Sequence, residues 1–158
     1  MEIIVQSTLP VVASRLSRLY ARFNGDLTPL MEKVGAIIEN DTAERLKDTK
    51  TDPDGKKWAD LAPATIAAKK RRKTDKGGVL IDSRRMVDSL THESGRDYAI
   101  IGVNAASDDE EDPKQYAVYH QTGTKNMPAH PIFGLSNKDK EDIQDWVAST
   151  LKGWWYGR

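Results

Sequence analysis

The chain has 158 residues, no cysteine, and equal numbers of basic and acidic residues, 24 of each. This length suits one domain over residues 1–158, and the absence of cysteine excludes disulfides and thiolate metal sites. The sequence predicts a soluble protein, because it has no apolar run near the roughly 20 residues of a membrane span and Met1–Val5 is too short for a secretory signal. The even charge balance argues against a dedicated nucleic-acid binder.

The N-terminal part is predicted to be helical. Residues 1–25 are expected to form an arm or a helix, since Leu9–Phe23 shows a weak helical period. Thr28 followed by Pro29 predicts a helix that starts there with Thr28 as its cap. The apolar period of that helix continues to about Lys47.

The next segment predicts a turn and two short helices. Asp52–Gly55 is a turn signature, with proline second and glycine fourth. Trp58 and Leu61 follow, and both are expected to fill the edge of the core. Pro63–Arg72 is compatible with a short helix, and a further short helix is predicted within Val79–Leu90.

Two blocks of like charge interrupt the chain: Lys69–Lys73 reads KKRRK, and Asp108–Asp112 reads DDEED. Such blocks are usually solvated, so we expect mobile charged loops at residues 69–78 and 105–113. Alternatively, the two blocks face opposite partners, or face each other across copies in an assembly. The basic block lacks interleaved aromatic residues, so it supports contact with DNA phosphates at most. The candidate residues are Lys69, Lys70, Arg71, Arg72 and Lys73.

The β-structure is predicted as one hairpin at about residues 90–104. Leu90–Ser94 and Tyr98–Asn104 flank Gly95-Arg96-Asp97, a short glycine-containing connection that is typical of a hairpin. Tyr98–Val103 is apolar enough for a central strand.

The C-terminal part predicts two helices and a rigid connector between them. Pro113–Gln121 favours a helix, and Ser136 is predicted to cap a long C-terminal helix. Pro128 and Pro131 restrict the backbone and remove two donors, so Met127–Ile132 should be neither helix nor central strand. The predicted fold class is α+β, with a small antiparallel sheet packed by several helices, including long N-terminal and C-terminal ones.

Trp154, Trp155 and Tyr156 place three aromatic residues together near the C-terminus. Two interpretations stay open for them, a contact patch for a partner and packing on the protein's own surface.

The sequence contains no signature of catalysis or metal binding. His92, His120 and His130 lie on different predicted elements and lack a short metal-ligand spacing. The chain also lacks a nucleophile elbow, a phosphate loop and a dinucleotide glycine motif. We therefore predict no enzyme, no catalytic residue, no metal and no cofactor. A hydrolase with an unrecognised site is the least favoured alternative.

Several phrases, taken in order, resemble the phage virion morphogenesis family, the Mu-like tail completion proteins. Order and approximate spacing agree from about Pro29 to Leu151. The phrases are Asp54–Leu61 (DGKKWADL), Thr65 and Lys69, Leu80–Leu90, Ile101-Gly102, Tyr116–Gly123 (YAVYHQTG) and Pro128–Ser136 (PAHPIFGLS).

Two positions depart from the family pattern. Ile81-Asp82-Ser83 stands where the family usually has Thr-Gly after the leucine, so the turn there is expected to differ. His130 replaces the arginine of a P-A-R-P phrase, and histidine cannot reproduce a bidentate arginine ion pair near neutral pH.

The resemblance implies a subunit of a ring at the phage neck, a tail completion protein, tail terminator or head–tail connector that joins tail to head. It implies a homo-oligomeric ring, with a hexamer favoured, in the virion after assembly in the host cytoplasm. The implied partners are tail tube or sheath and head connector proteins, with no membrane and with passing contact between the basic block and packaged DNA. The alternative is a small DNA-binding regulatory protein that uses residues 69–73. The predicted subunit contacts are Pro128, His130, Pro131, Phe133, Trp154, Trp155 and Tyr156.

Overall fold

The computed structural model describes residues 24–74, 78–82, 84–104, 113–125 and 127–156, together with residues 17, 20 and 21. Most of the arm predicted over residues 1–25 and the whole acidic block at 108–112 lie outside them. The described part combines helices with a two-stranded antiparallel sheet, which confirms the α+β class. The helices are α1 (Thr28–Glu44), α2 (Pro63–Arg72), α3 (Arg85–Asp88), α4 (Pro113–Thr122) and α5 (Asn137–Tyr156), and the strands are β1 (Leu90–Ser94) and β2 (Ala99–Val103).

Helix α1 begins where the sequence predicts, but a different residue caps it. Thr28 is the first helical residue, and its side chain makes no capping hydrogen bond. The Asp26 carboxylate instead accepts hydrogen bonds from the Thr28 hydroxyl (2.6 Å) and the Thr28 backbone N–H (2.9 Å). These bonds lower the pKa of Asp26, and a carboxylate at a helix N-terminus also suits the helix dipole. The prediction of Thr28 as the cap is therefore wrong.

Helix α1 continues into a π-helical turn, Arg45–Thr49, which ends at Lys50 with a left-handed φ of 55°. The turn predicted at Asp52–Gly55 then follows: the Gly55 N–H donates to the Asp52 carbonyl at 3.0 Å. Gly55 has a φ of 82°, a conformation that glycine adopts without steric cost.

The hairpin confirms the prediction at residues 90–104. Its register runs from Leu90 opposite Val103 to Ser94 opposite Ala99. Within the described residues β2 pairs with β1 alone, so the predicted central strand is an edge strand there. Ile100 on β2 is accordingly 59% exposed.

One hydrophobic core joins the elements. Its buried side chains come from the π-turn, the segment after it, the segment before α3, α3 itself, α4 and the connector before α5. Trp58 is buried, as predicted, while Leu61 is half-buried. The core residues are Leu46, Trp58, Ile81, Met86, Val87, Ala117 and Ile132.

Helix α5 begins with the predicted cap at Ser136. The Asp139 N–H donates to the Ser136 hydroxyl (2.9 Å), and the Ser136 N–H donates to the Asp139 carboxylate (2.6 Å). This reciprocal capping box satisfies two donors at the start of the helix. Among the described residues, no helix combines the length and apolar character needed to cross a membrane.

Candidate functional site

The connector between α4 and α5, residues 123–136, is held in place by the side chain of Gln121. Its Oε1 accepts hydrogen bonds from the N–H groups of Ile132 (2.8 Å) and Phe133 (2.9 Å), and its Nε2 donates to the Phe133 carbonyl (3.1 Å). Backbone polar groups away from water need partners. One side-chain amide thus supplies the hydrogen bonds that a neighbouring strand would otherwise supply.

Two further side chains, from segments that precede α4 in the sequence, also hold the connector. The Trp58 indole N–H donates to the Pro131 carbonyl (3.3 Å), and the Arg45 guanidinium donates more weakly to the Ile132 carbonyl (3.4 Å). The Ile132 side chain is 1% exposed and belongs to the core. The connector is therefore anchored in the interior, and the prediction that Met127–Ile132 is neither helix nor central strand is confirmed.

The connector starts with a tight fold-back. Gly123 has a φ of 75°, and a Cβ built there would lie 2.8 Å from the Ala129 nitrogen. The Thr124 N–H donates to the Met127 carbonyl at 2.8 Å. Only glycine fits this left-handed, crowded position without strain.

His120 on α4 and His130 on the connector lie side by side. Their ring centroids are 6.1 Å apart, and the His130 N–H donates to the His120 carbonyl at 2.7 Å. Both Nδ1 atoms are buried and make no hydrogen bond to the described residues. Burial, and then the charge of His130, lowers the pKa of His120. His130 is only 9% exposed, so in the single chain its ring offers little surface for the subunit contact predicted for it.

A buried ion pair joins the π-turn to α5. The Arg45 guanidinium lies 3.3 Å from the Asp139 carboxylate, and both side chains are almost fully buried. Arg45 also donates to the Thr42 hydroxyl at 2.9 Å. Because an unpaired charge is expensive in the interior, each of these two ions depends on the other.

Asp41 lies beside this pair and shares its environment. The Asp41 carboxyl accepts a hydrogen bond from Lys138, yet burial raises the pKa of Asp41, and the neighbouring Asp139 carboxyl raises it further. Asp41 Oδ2 and Asp139 Oδ1 are buried and make no hydrogen bond to the described residues.

The basic block is divided between the interior and the surface. Lys69–Arg72 form the end of α2, so the predicted charged loop does not include them. Lys69 is 4% exposed, and its ammonium group donates to the carbonyls of Gly78 (2.6 Å) and Ile81. The prediction of a solvated Lys69 is wrong, because backbone carbonyls of a distant segment surround it. The other four residues, Lys70, Arg71, Arg72 and Lys73, are exposed, and DNA contact remains a prediction for them.

A cleft of about 560 Å³ opens between the end of α2, the segment before α3, and α4. We call it the basic cleft, because four cationic side chains and one carboxylate are among its lining residues. These are Lys69, Arg72, Arg84, Arg85 and Asp82. Leu80 and Arg84 both have left-handed φ angles, 60° and 66°, which are uncommon for residues with a side chain. The sequence gives no sign of this cleft, because its three segments carry no local signal of their proximity.

Exposed apolar side chains form a second candidate surface on α4. Tyr116, Val118 and Tyr119 are exposed there, and Leu135 of the connector is exposed as well. Of the predicted contacts, Pro128 is exposed, whereas Pro131 and Phe133 are half-buried. The side chains of Trp154, Trp155 and Tyr156 lie outside the described residues. In the described part of the chain no group of three or more His, Cys, Asp or Glu side chains could hold a metal ion.

The sequence pattern of the phage virion morphogenesis family matches residues 8–152. The chain belongs to this family. The predicted family is thereby confirmed, and the match assigns the chain a role in the assembly of phage particles. No solved structure matches the chain.

Three relatives of this virion morphogenesis protein are similar over most of their length. Mu-like prophage FluMu G protein 1 of Haemophilus influenzae is 29% identical over 118 residues, 73% of each chain. FluMu G protein 2 of the same organism is 27% identical over 152 residues, 89% of this chain and 92% of the relative. The putative capsid assembly protein G of Escherichia phage Mu is 30% identical over 115 residues, 67% of this chain and 68% of the relative.

Gln121 of this virion morphogenesis protein lies in one of the phrases that carry the family resemblance. The sequence does not show that the Gln121 side chain holds the connector. The resemblance at Tyr116–Gly123 rests on the sequence pattern alone. The structure shows that its glutamine binds the second phrase, Pro128–Ser136, through Ile132 and Phe133. Two phrases that are separate in the sequence thus form one structural unit.

Proposed function

We propose that the chain is a ring subunit at the neck of a phage particle, where it completes or terminates the tail or connects it to the head. The observation that carries this proposal is the match to the phage virion morphogenesis family over residues 8–152. One relative, from phage Mu, is described as a putative capsid assembly protein. A joining role at the neck is the form of assembly that the exposed surfaces of this chain support best.

The exposed apolar side chains of α4 support a contact between subunits or with a neighbouring ring. Val118 is 57% exposed, and Tyr119 next to it in the sequence is 48% exposed; Tyr116, one turn before Tyr119, is exposed as well. Contiguous apolar surface on a small protein commonly marks an interaction site, and tyrosine is enriched at the centre of interfaces.

The anchored connector supports a mechanism based on geometry. Gln121, Trp58 and Arg45 fix the backbone around Ile132, so Leu135 is presented in one position before any partner arrives. A surface that is already ordered loses less conformational entropy on binding. Repetition of one such head-to-tail contact closes a ring when the rotation between copies permits it. A hexamer is the favoured copy number.

A particle-assembly experiment tests this proposal. In a phage that lacks its own copy of the gene, the wild-type chain should restore heads joined to tails, as counted by electron microscopy. The double variant Val118→Asp with Tyr119→Asp should fold normally yet yield separate heads and tails. Ile66→Asp, an exposed apolar position on α2, is the matched control and should restore joined particles. Normal joining in the complete absence of the protein would refute the neck role.

A DNA-binding regulator, the alternative function, would rely on the exposed end of α2. Lys70, Arg71 and Lys73 are exposed there. Binding to duplex DNA that weakens steeply with salt, without any effect of the α4 variants on particle joining, would favour that function.

A further inference from the structure

We infer that the basic cleft binds the acidic block Asp108–Asp112 of a neighbouring copy of the chain. The inference rests on the proposed function in one respect, that copies of the chain meet in a ring. It goes further by naming the surface and the segment that meet there.

Arg84 presents positive charge to solvent at the cleft. The carboxylate of Asp82 is already engaged, since Arg72 lies 2.9 Å from one of its oxygens and the Thr74 hydroxyl donates to the other. Arg84 Nε lies 3.8 Å from Oδ2 of Asp88, and the side chain of Arg84 is 61% exposed. Arg84 can therefore turn to an incoming carboxylate at little cost, because an exposed pair at this distance contributes almost nothing to stability.

The backbone holds these cations at the mouth of the cleft. Arg84 immediately precedes α3 in a left-handed conformation, and Arg85 is the first residue of that helix. A non-glycine residue in this conformation costs free energy and persists only where the surroundings impose it, which is common at binding sites. Buried Met86 and Val87 fix α3 to the core and so supply that constraint.

The wall of the cleft suits a polypeptide. Tyr116 and His120 from α4 line it, together with the apolar side chain of Leu80. Arginine forms paired hydrogen bonds with carboxylates, and tyrosine offers both apolar surface and a hydroxyl. The cleft thus matches a short acidic segment better than an isolated small anion.

The chain itself carries the complementary charge. Asp108–Asp112 supplies five carboxylates in a row, and the formal net charge of the whole chain is zero. One molecule that bears both a basic cleft and an acidic block can use each of them once when copies join head to tail. The same charges disfavour wrong arrangements, because in those arrangements two basic clefts or two acidic blocks would meet and repel each other.

A peptide-binding measurement tests the inference on the intact protein. The probe is a fluorescent peptide of residues 105–113, and the reference peptide carries Asn and Gln in place of the five acidic residues. The acidic peptide should bind, with an affinity that falls as salt rises. Arg84→Glu with Arg85→Glu should weaken binding about tenfold or more, whereas the control Lys70→Glu with Arg71→Glu, exposed and outside the cleft, should not. Equal binding of the neutral peptide, or equal loss in the control, would overturn the inference.

A charge-exchange experiment separates pairing between copies from pairing within one copy. One variant reverses the cleft at Arg84 and Arg85, and a second replaces Asp108–Asp112 by five lysines. Neither should restore joined particles alone, but the two expressed together should, since each then finds its complement on the other. Failure of the mixture, when both variants keep the circular dichroism of the wild type, would refute docking between copies.

The two experiments report on different claims. Peptide binding does not depend on a position at the neck, so it stands even if particle joining shows that the proposed function is wrong. Loss of short-duplex DNA binding in the Arg84/Arg85 variant, without any binding of the acidic peptide, would show a phosphate site and overturn the inference.

Discussion

Arg45 in the π-turn and Asp139 in α5 form a buried ion pair across 94 residues of sequence, with 3.3 Å between Nη1 and Oδ2. The same Asp139 oxygen accepts the Ser136 N–H, and the same guanidinium reaches Thr42 and the connector. The pair therefore couples the end of α1, the start of α5 and the segment between α4 and α5.

Removal of one partner of this pair should be strongly destabilising. Arg45→Met leaves Asp139 as an uncompensated buried carboxylate, for which we expect a loss of about 3–5 kcal/mol in the free energy of unfolding. Urea unfolding followed by circular dichroism measures it. Lys140→Met, on the exposed face of the same turn of α5, is the control and should change stability by about 0.5 kcal/mol or less. A small effect at Arg45 would show that water reaches Asp139.

Gln121→Ala should loosen the connector more than the rest of the chain. The change removes three hydrogen bonds and leaves the buried N–H of Ile132 without its acceptor, at a cost of about 2–3 kcal/mol. Hydrogen exchange at Ile132 and Phe133 should accelerate beyond the exchange of the core helices. Thr122→Ala removes a hydroxyl that donates to the Val118 carbonyl and, more weakly, to the Gly123 carbonyl, so it should leave these two amides protected. Unchanged protection in Gln121→Ala would mean that the amide does not hold the connector.

Gly35→Ala should destabilise the protein, although alanine normally favours a helix interior by about 1 kcal/mol over glycine. A Cβ at Gly35 would overlap the His92 ring, so either the His92 side chain or β1 must shift away from α1. We expect a net loss of about 1–3 kcal/mol. Thermal unfolding should give a lower midpoint for Gly35→Ala than for Gly102→Ala on β2, where an added Cβ meets nothing within 4 Å. Equal midpoints for the two variants would show that His92 yields freely.

Stability should pass through a maximum near pH 6.5, because two histidines act in opposite directions. The hydrogen bond with Glu39 raises the pKa of His92 in the folded state. The stability that His92 contributes is therefore complete below its unfolded-state pKa of about 6.5, and it is lost as the pH rises through its folded-state pKa. Burial lowers the pKa of His120 in the folded state. The stability that His120 contributes is therefore complete above its unfolded-state pKa of about 6.5, and it is lost as the pH falls through its folded-state pKa.

Unfolding at a series of pH values checks this maximum. His92→Gln should flatten the decline on the alkaline side, and His120→Gln should flatten the decline on the acidic side. Glu93→Gln, at an exposed position of β1, should leave both slopes unchanged. Identical profiles for the two histidine variants would contradict the assignment.

The local features of the fold were predictable because they depend on neighbouring residues. The helix from Thr28, the turn at Asp52–Gly55 and the cap at Ser136 each follow from periodicity or from the chemistry of a few adjacent residues. The prediction of a Thr28 cap fails because Asp26, two residues earlier, is a better acceptor.

The candidate sites depend on distant contacts, and the sequence predicted little of them. Lys69 belongs to a run of five cations, and nothing in that run indicates that one of them is enclosed by the carbonyls of Gly78 and Ile81. Arg84 and Arg85 belong to no sequence motif, and they line a cleft only because α2 and α4 pack beside α3. Periodicity and spacing describe single elements, whereas these sites lie between elements.

The anchored connector also has a consequence for timing during synthesis. Its hydrogen bonds to Arg45 and Trp58 span 87 and 73 residues, so they form only after most of the chain has been made. Contacts of such long range close late in folding, since their loop entropy is lost before any interaction compensates for it. The exposed surface around Leu135 therefore takes its final position only once nearly the whole chain has been made.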